Sequence, residues 1–142
     1  MIAALLLDSP GIAPAEEVLR AVRGAALSEG IFDLDALLAR FPAYRDWFVA
    51  PAFPPGALAP FAATAHPLRP ASEGTRWLLL HSAGDTLIDA AQGEGMYAHL
   101  CAIAPGRVDR DFASLTREHD EILRGDEVYV ELVADFVAKC TE

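Results

Sequence analysis

Apolar positions along the chain switch between two periodicities. Val22 to Ser28 reads as a short, largely apolar strand. Asp33 then stands where a helix N-cap belongs, ahead of Leu34, Leu37, Leu38 and Phe41 at i, i+3, i+4 and i+7, one face of a helix. Trp77 to Leu80 is a continuous apolar run, the pattern of a strand buried on both faces of a parallel sheet. Met96, Leu100 and Ile103 return to helical spacing, a weak strand follows at Val108 to Phe112, and Tyr129, Leu132, Val133, Phe136 and Val137 form an amphipathic helix. Proline- and glycine-rich stretches at 9–14, 50–60, 66–74 and 104–107 read as loops between these elements. Alternating strands and helices predict an α/β fold with a parallel sheet.

In such a fold the functional loops follow the carboxyl ends of the strands. Three such ends are readable: "SEGIFDLD" after Leu27, "HSAGDTLID" after Leu80 and "SLTREHDEI" after Phe112. One loop offers a carboxylate and another a histidine. A chain of 142 residues is one domain's worth, long enough to bury roughly two-thirds of the surface its unfolded form exposes. Its net charge of −10, with 14 of the 21 acids in residues 72–142 and no basic cluster, argues against nucleic acid or an anionic membrane as partner. Most of those acids are interspersed with apolar residues, as on the solvated faces of helices. Cys101 and Cys140 lack any CxxC or Cys/His context, so buried free thiols in a reducing compartment are expected rather than a zinc site. "IAALLL" is too short to span a bilayer and has neither the basic flank nor the cleavage site of a signal peptide, which leaves the cytoplasm as the expected location.

An acid after one strand and a histidine after the next is the layout of the last two members of an α/β-hydrolase triad, whose chain order is Ser, Asp, His. The chain resembles the carboxy-terminal half of such a hydrolase, and within that fold the kynurenine formamidase (arylformamidase) family, particularly its fungal members. The similarity lies in "LSEGIFDLDALLARFPAYRDWFVAPAF", "WLLLHSAGDTLID" and "REHDEIL", and extends over nearly the whole chain. The resemblance implies that Asp85 is the triad acid and His119 the general base. Those roles make physical sense, because a histidine takes a nucleophile's proton only if its ring is held in one tautomer, and a carboxylate on Nδ1 does that. His81 is expected to be packed, and His66 and His99 to be structural or exposed.

"HSAG" also invites a nucleophile turn at Ser82. Such a turn needs small residues two before and two after the serine; Gly84 satisfies one, Leu80 breaks the other. No acid-bearing strand end separates Ser82 from His119 either, so Ser82 is read as a look-alike. No "GxSxG" and no "HGG"-type oxyanion loop occurs in the 142 residues. The expectation is therefore a single partial hydrolase domain, 1–142, supplying acid and histidine but not the nucleophile. Residues of about 33–63 would form a cap-like helical insertion. For the whole enzyme the resemblance implies hydrolysis of N-formylkynurenine to kynurenine and formate in tryptophan catabolism, without metal or organic cofactor. Phe41, Tyr44, Trp47, Phe48 and Phe53 would then pack the cap or line a pocket for an aromatic formamide or ester. Two other readings stay open: a carboxylesterase or peptidase-like hydrolase with the same triad, and a non-catalytic interaction module on a truncated scaffold. An apolar strand at a sheet edge also leaves a homo-oligomer open.

Overall fold

A computed structural model of the protein describes residues 2–11 and 13–141. Its centre is β2 (Arg76–Leu80), flanked by β1 (Gly24–Ser28) and β3 (Val108–Asp111) in a three-stranded sheet of order β1-β2-β3. Both pairings are parallel, with Ser28 opposite Leu80 and Leu80 opposite Asp111. The apolar run of β2 is buried because side chains alternate across the sheet and both faces are covered. Trp77 and Leu79 point to one face, where they meet Ala3, Leu6 and Leu7, Leu19 and the helix residues Met96 and Leu100. Leu78 and Leu80 point to the other, against Leu115, Ile122 and Phe136. Each such side chain contributes on the order of 1.5–3 kcal/mol through burial.

The helices follow from the pattern. α1 (Ile2–Leu6) packs on β1, α5 (Ala90–Ile103) covers β2 and β3, and α6 (Glu127–Thr141) lies across β1 from the opposite side. α3 (Leu34–Arg40) begins as its sequence predicts, with the Asp33 carboxylate accepting the Ala36 N–H at 2.9 Å, and it buries Leu34, Leu37 and Leu38. These three join Val49, Leu58 and Ile88 in a separate cluster formed mainly by residues 31–58, which include a π-helical turn (Arg45–Val49) and the short α4 (Ala50–Ala52).

Four details depart from the sequence expectation. β1 starts at Gly24, because Val22 instead ends a helix the periodicity did not reveal, α2 (Glu16–Ala21). That helix is too short for an apolar repeat and buries only Leu19; two glutamates in its first turn favour it through the helix dipole. β3 ends at Asp111, one residue early. Val137 is exposed, and the buried face of α6 runs instead through Tyr129, Leu132, Val133, Phe136 and Cys140. Finally, Cys101 and Cys140 are free thiols as expected, but half-buried rather than buried. Among the described residues no helix is long and apolar enough to cross a membrane.

Candidate active site

The loops after β2 and β3 run alongside each other, and nearly every residue of "HSAGDT" has a contact across the gap. The His81 N–H bonds the Asp111 carbonyl at 3.1 Å and the Ala83 N–H the Leu115 carbonyl at 2.9 Å. The Ser82 hydroxyl donates to the Arg117 carbonyl at 2.5 Å, and the Thr86 hydroxyl donates to Glu118 Oε2 at 2.9 Å. Gly84 is required by close approach: a Cβ there would lie 2.2 Å from the Thr116 carbonyl oxygen. From the far side, Arg117 pairs with buried Asp126 at 3.2 Å, and Asp126 accepts the Tyr129 N–H at the start of α6.

This docking brings Asp85 and His119 together. His119 Nδ1 lies 2.8 Å from Asp85 Oδ2, while Asp85 Oδ1 accepts the N–H groups of Leu87 and Ile88 at 2.8 and 2.9 Å. The carboxylate is thus held by its own loop, with one oxygen directed at the ring. Because the neighbours of Nδ1 are carboxylates, Nδ1 carries the proton, and Nε2 is the nitrogen able to accept another. Burial works to lower the His119 pKa, but the hydrogen bond and charge of Asp85, followed by the charges of Glu29 and Asp120, outweigh it and raise the pKa above the ordinary value.

A third group completes the cluster, and the sequence reading passed over it. Glu29, directly after β1, places Oε2 3.3 Å from the same Nδ1, and its Oε1 accepts the Ser82 N–H at 3.3 Å. Only 6% of the residue is exposed. Its φ of 47° is the one positive value at a non-glycine among the described residues, a conformation that costs roughly 1–2 kcal/mol for an L-residue. Burial, then the charge of Asp85, pushes its carboxyl up from 4.5 to about 7. The strand register explains why it arrives here, since Ser28 and Leu80 are paired and the Glu29 N–H bonds the Leu80 carbonyl at 3.0 Å. Gln92 of α5 fixes the rest of that loop. Its side-chain carbonyl accepts the N–H groups of Phe32 and Asp33 at 2.8 and 2.9 Å, and its amide donates to the Asp33 carbonyl. Glu29, Asp85 and His119 present polar atoms within 4.8 Å of one another. A proton-bridged trio has that spacing as well, and no metal is assigned to it.

The remaining candidates fall elsewhere. Ser82 is buried, its proton is committed to Arg117, and its oxygen accepts the Gly84 N–H at 3.1 Å, so it joins two loops. His81 is buried edge-on to Phe112, and burial above all lowers its pKa. His66 and His99 bond backbone carbonyls of Pro60 and His66. Phe41 stacks on Tyr44, Trp47 meets the Tyr44 ring edge-on and Phe48 lies tilted against it, while the Tyr44 hydroxyl donates to the Leu87 carbonyl at 2.9 Å; Phe53 packs against Phe61 instead. The aromatic group is therefore tied to the Asp85 loop from outside.

Fold and site together define an α/β protein with a carboxylate–histidine cluster at the carboxyl edge of a small parallel sheet. Compared with family models, with curated proteins and with solved structures, the chain matches none.

Proposed function

We propose that this chain carries the acid and the general base of a serine-hydrolase-type acyl-transfer site, with Asp85 and His119 in those roles. The observation that supports it is the Asp85 carboxylate, braced by two backbone N–H groups and bonded to His119 Nδ1, which leaves Nε2 to exchange protons. The nucleophile is not Ser82, and no glycine-flanked serine occurs in residues 1–142. It comes from a segment outside these residues, on an α/β-hydrolase scaffold of which this chain forms the carboxy-terminal part.

The resemblance to arylformamidases names the substrate class, a formamide on an aromatic amine. The serine oxygen would bond to the formyl carbon while His119 Nε2 takes the serine proton. Collapse of the tetrahedral intermediate breaks the C–N bond, and Nε2 delivers that proton to the leaving aniline nitrogen. His119 Nε2 then deprotonates a water whose oxygen bonds to the formyl carbon; the ester C–O bond to serine breaks, formate leaves, and Nε2 returns the proton to the serine oxygen. The chain's own contribution is to hold the imidazole in one tautomer and to stabilise the imidazolium that forms.

The test compares hydrolysis of N-formylkynurenine and p-nitrophenyl acetate by the 142-residue chain and by the product of the reading frame continued upstream of Met1. The expected result is background activity for the first and formyl-anilide hydrolysis, lost in His119→Ala, for the second. Ester hydrolysis without formamide hydrolysis would move the assignment to a carboxylesterase. An upstream frame without a serine nucleophile, or activity indifferent to His119, would refute the catalytic reading and favour an interaction module.

A further inference from the structure

The proposed mechanism uses one carboxylate, yet the imidazole of His119 faces two. They come from different strand ends, Asp85 after β2 and Glu29 after β1, and both reach the same nitrogen, at 2.8 and 3.3 Å. Glu29 reaches it against the preference of its own backbone, in the left-handed region where a glycine would sit freely. It does so in a buried position, where a carboxyl group is retained only with partners. Its partners are the Ser82 N–H on one oxygen and His119 on the other. Strain, burial and aim all converge on one ring nitrogen.

We propose that Glu29 is a second positioning carboxylate for His119, standing beside the Asp85–Nδ1 hydrogen bond and holding the ring in the same tautomer when Asp85 cannot. The Asp85 contact is the shorter and carries the hydrogen bond; Glu29 stands beside it at ion-pair distance, close enough to take over as acceptor after a small turn of the ring. The charged and titratable groups facing this trio are Asp120 and His81. With a carboxyl pushed up to about 7, Glu29 is also the member whose charge responds to the ring: an imidazolium beside it favours its ionised form. A proton gained at Nε2 is thereby partly balanced by one released from Glu29, and the charge of the site changes less than that of a simple pair. The catalytic consequence rests on the hydrolase reading above, whereas the geometry does not.

The experiment reads the ring directly, in the full 142-residue chain with 15N-labelled histidine and EDTA present. Long-range 1H–15N spectra report the tautomer and titration midpoint of His119 in the wild type, Glu29→Gln, Asp85→Ala and the double variant. Alanine is chosen at 85, and at 29 in the double variant, because a side-chain amide would itself donate to Nδ1. Asp85→Ala is expected to keep the Nδ1–H tautomer, and the double variant to fall to the Nε2–H-rich mixture of free imidazole. Glu29→Gln is expected to lower the His119 midpoint by about half a unit or more, threefold in proton affinity. A tautomer lost as fully in Asp85→Ala as in the double variant, or a midpoint unmoved by Glu29→Gln, overturns the proposal. If Asp85→Ala does not fold, the wild type still decides: the Glu29 carboxyl 13C and the His119 ring should each inflect at the other's midpoint, and independent titrations refute the coupling. In a separate sample freed of EDTA, a Zn2+ titration that replaces the Nδ1 proton at stoichiometric metal would overturn it in favour of a cation site. Failure of the hydrolase reading appears only in the activity assay and leaves these spectra unchanged.

Discussion

Replacing Glu29 by glutamine is expected to stabilise the protein, and to do so increasingly as pH rises. The folded state keeps the Glu29 proton up to about 7, while an unfolded chain releases it near 4.5. Between those values the folded state binds more protons than the unfolded state, so stability falls with rising pH by up to about 1.4 kcal/mol per unit. The cost is complete above the folded value, where the displacement from 4.5 to about 7 amounts to roughly 3 kcal/mol as an upper bound. Glutamine cannot ionise and keeps a carbonyl for the Ser82 N–H. The two proteins should therefore be of similar stability below the unfolded value and diverge above it. His119 has a raised folded pKa, so its contribution is present below its unfolded value and is lost as pH rises through the folded one. His81, with a lowered pKa, contributes in the opposite sense and largely cancels in the comparison. The lower His119 midpoint of the variant, by contrast, costs it about 0.7 kcal/mol at low pH for half a unit, a deficit that vanishes as pH rises and so adds to the divergence. Urea midpoints for the two proteins from about pH 5 to pH 8, at constant ionic strength and with unchanged m, measure the effect. A difference independent of pH, or a wild type more stable than the variant at the alkaline end, would refute the reasoning.

Three further outcomes follow from the same geometry. Gly84→Ala should destabilise the protein by about 1–3 kcal/mol, because its Cβ would press on the Thr116 carbonyl from 2.2 Å; a melting temperature within error of the wild type would show that the two loops are not tightly docked. Ser82 should resist a fluorophosphonate probe in the 142-residue chain, since its hydroxyl is committed to Arg117; labelling that disappears in His119→Ala would make it a nucleophile after all. The chain should self-associate at micromolar concentration, because among the described residues β1 pairs only with β2 and its other edge adjoins an apolar cavity of about 260 Å³ lined by Leu5, Val18, Leu19 and Val22. Light scattering showing a monodisperse monomer with one sharp thermal transition would contradict this.

Much of the fold could be read from local pattern alone. The run Trp77 to Leu80 is apolar on consecutive residues, the pattern of a strand covered on both faces, and it is the central strand. The Asp33 cap and the 34, 37, 38 spacing define α3 through contacts no farther than one helical turn. The placement of Asp85 and His119 in the loops after two successive strands, the apolar run at 77–80 and the weak one at 108–112, was enough to expect them on one sheet edge, because parallel connectivity sends every such loop the same way. Tertiary structure decided what depended on register and backbone angle. Ser82 sits in a stretch resembling a catalytic turn, and only the Arg117 carbonyl of a loop 35 residues away shows that its hydroxyl is occupied. Glu29 read as a charge at the end of a strand. It became part of the site through the pairing of Ser28 with Leu80 and a φ of 47°, neither of which any local pattern specifies. Periodicity records which side of an element faces the core, whereas a bond between side chains distant in sequence exists only once the strands are aligned.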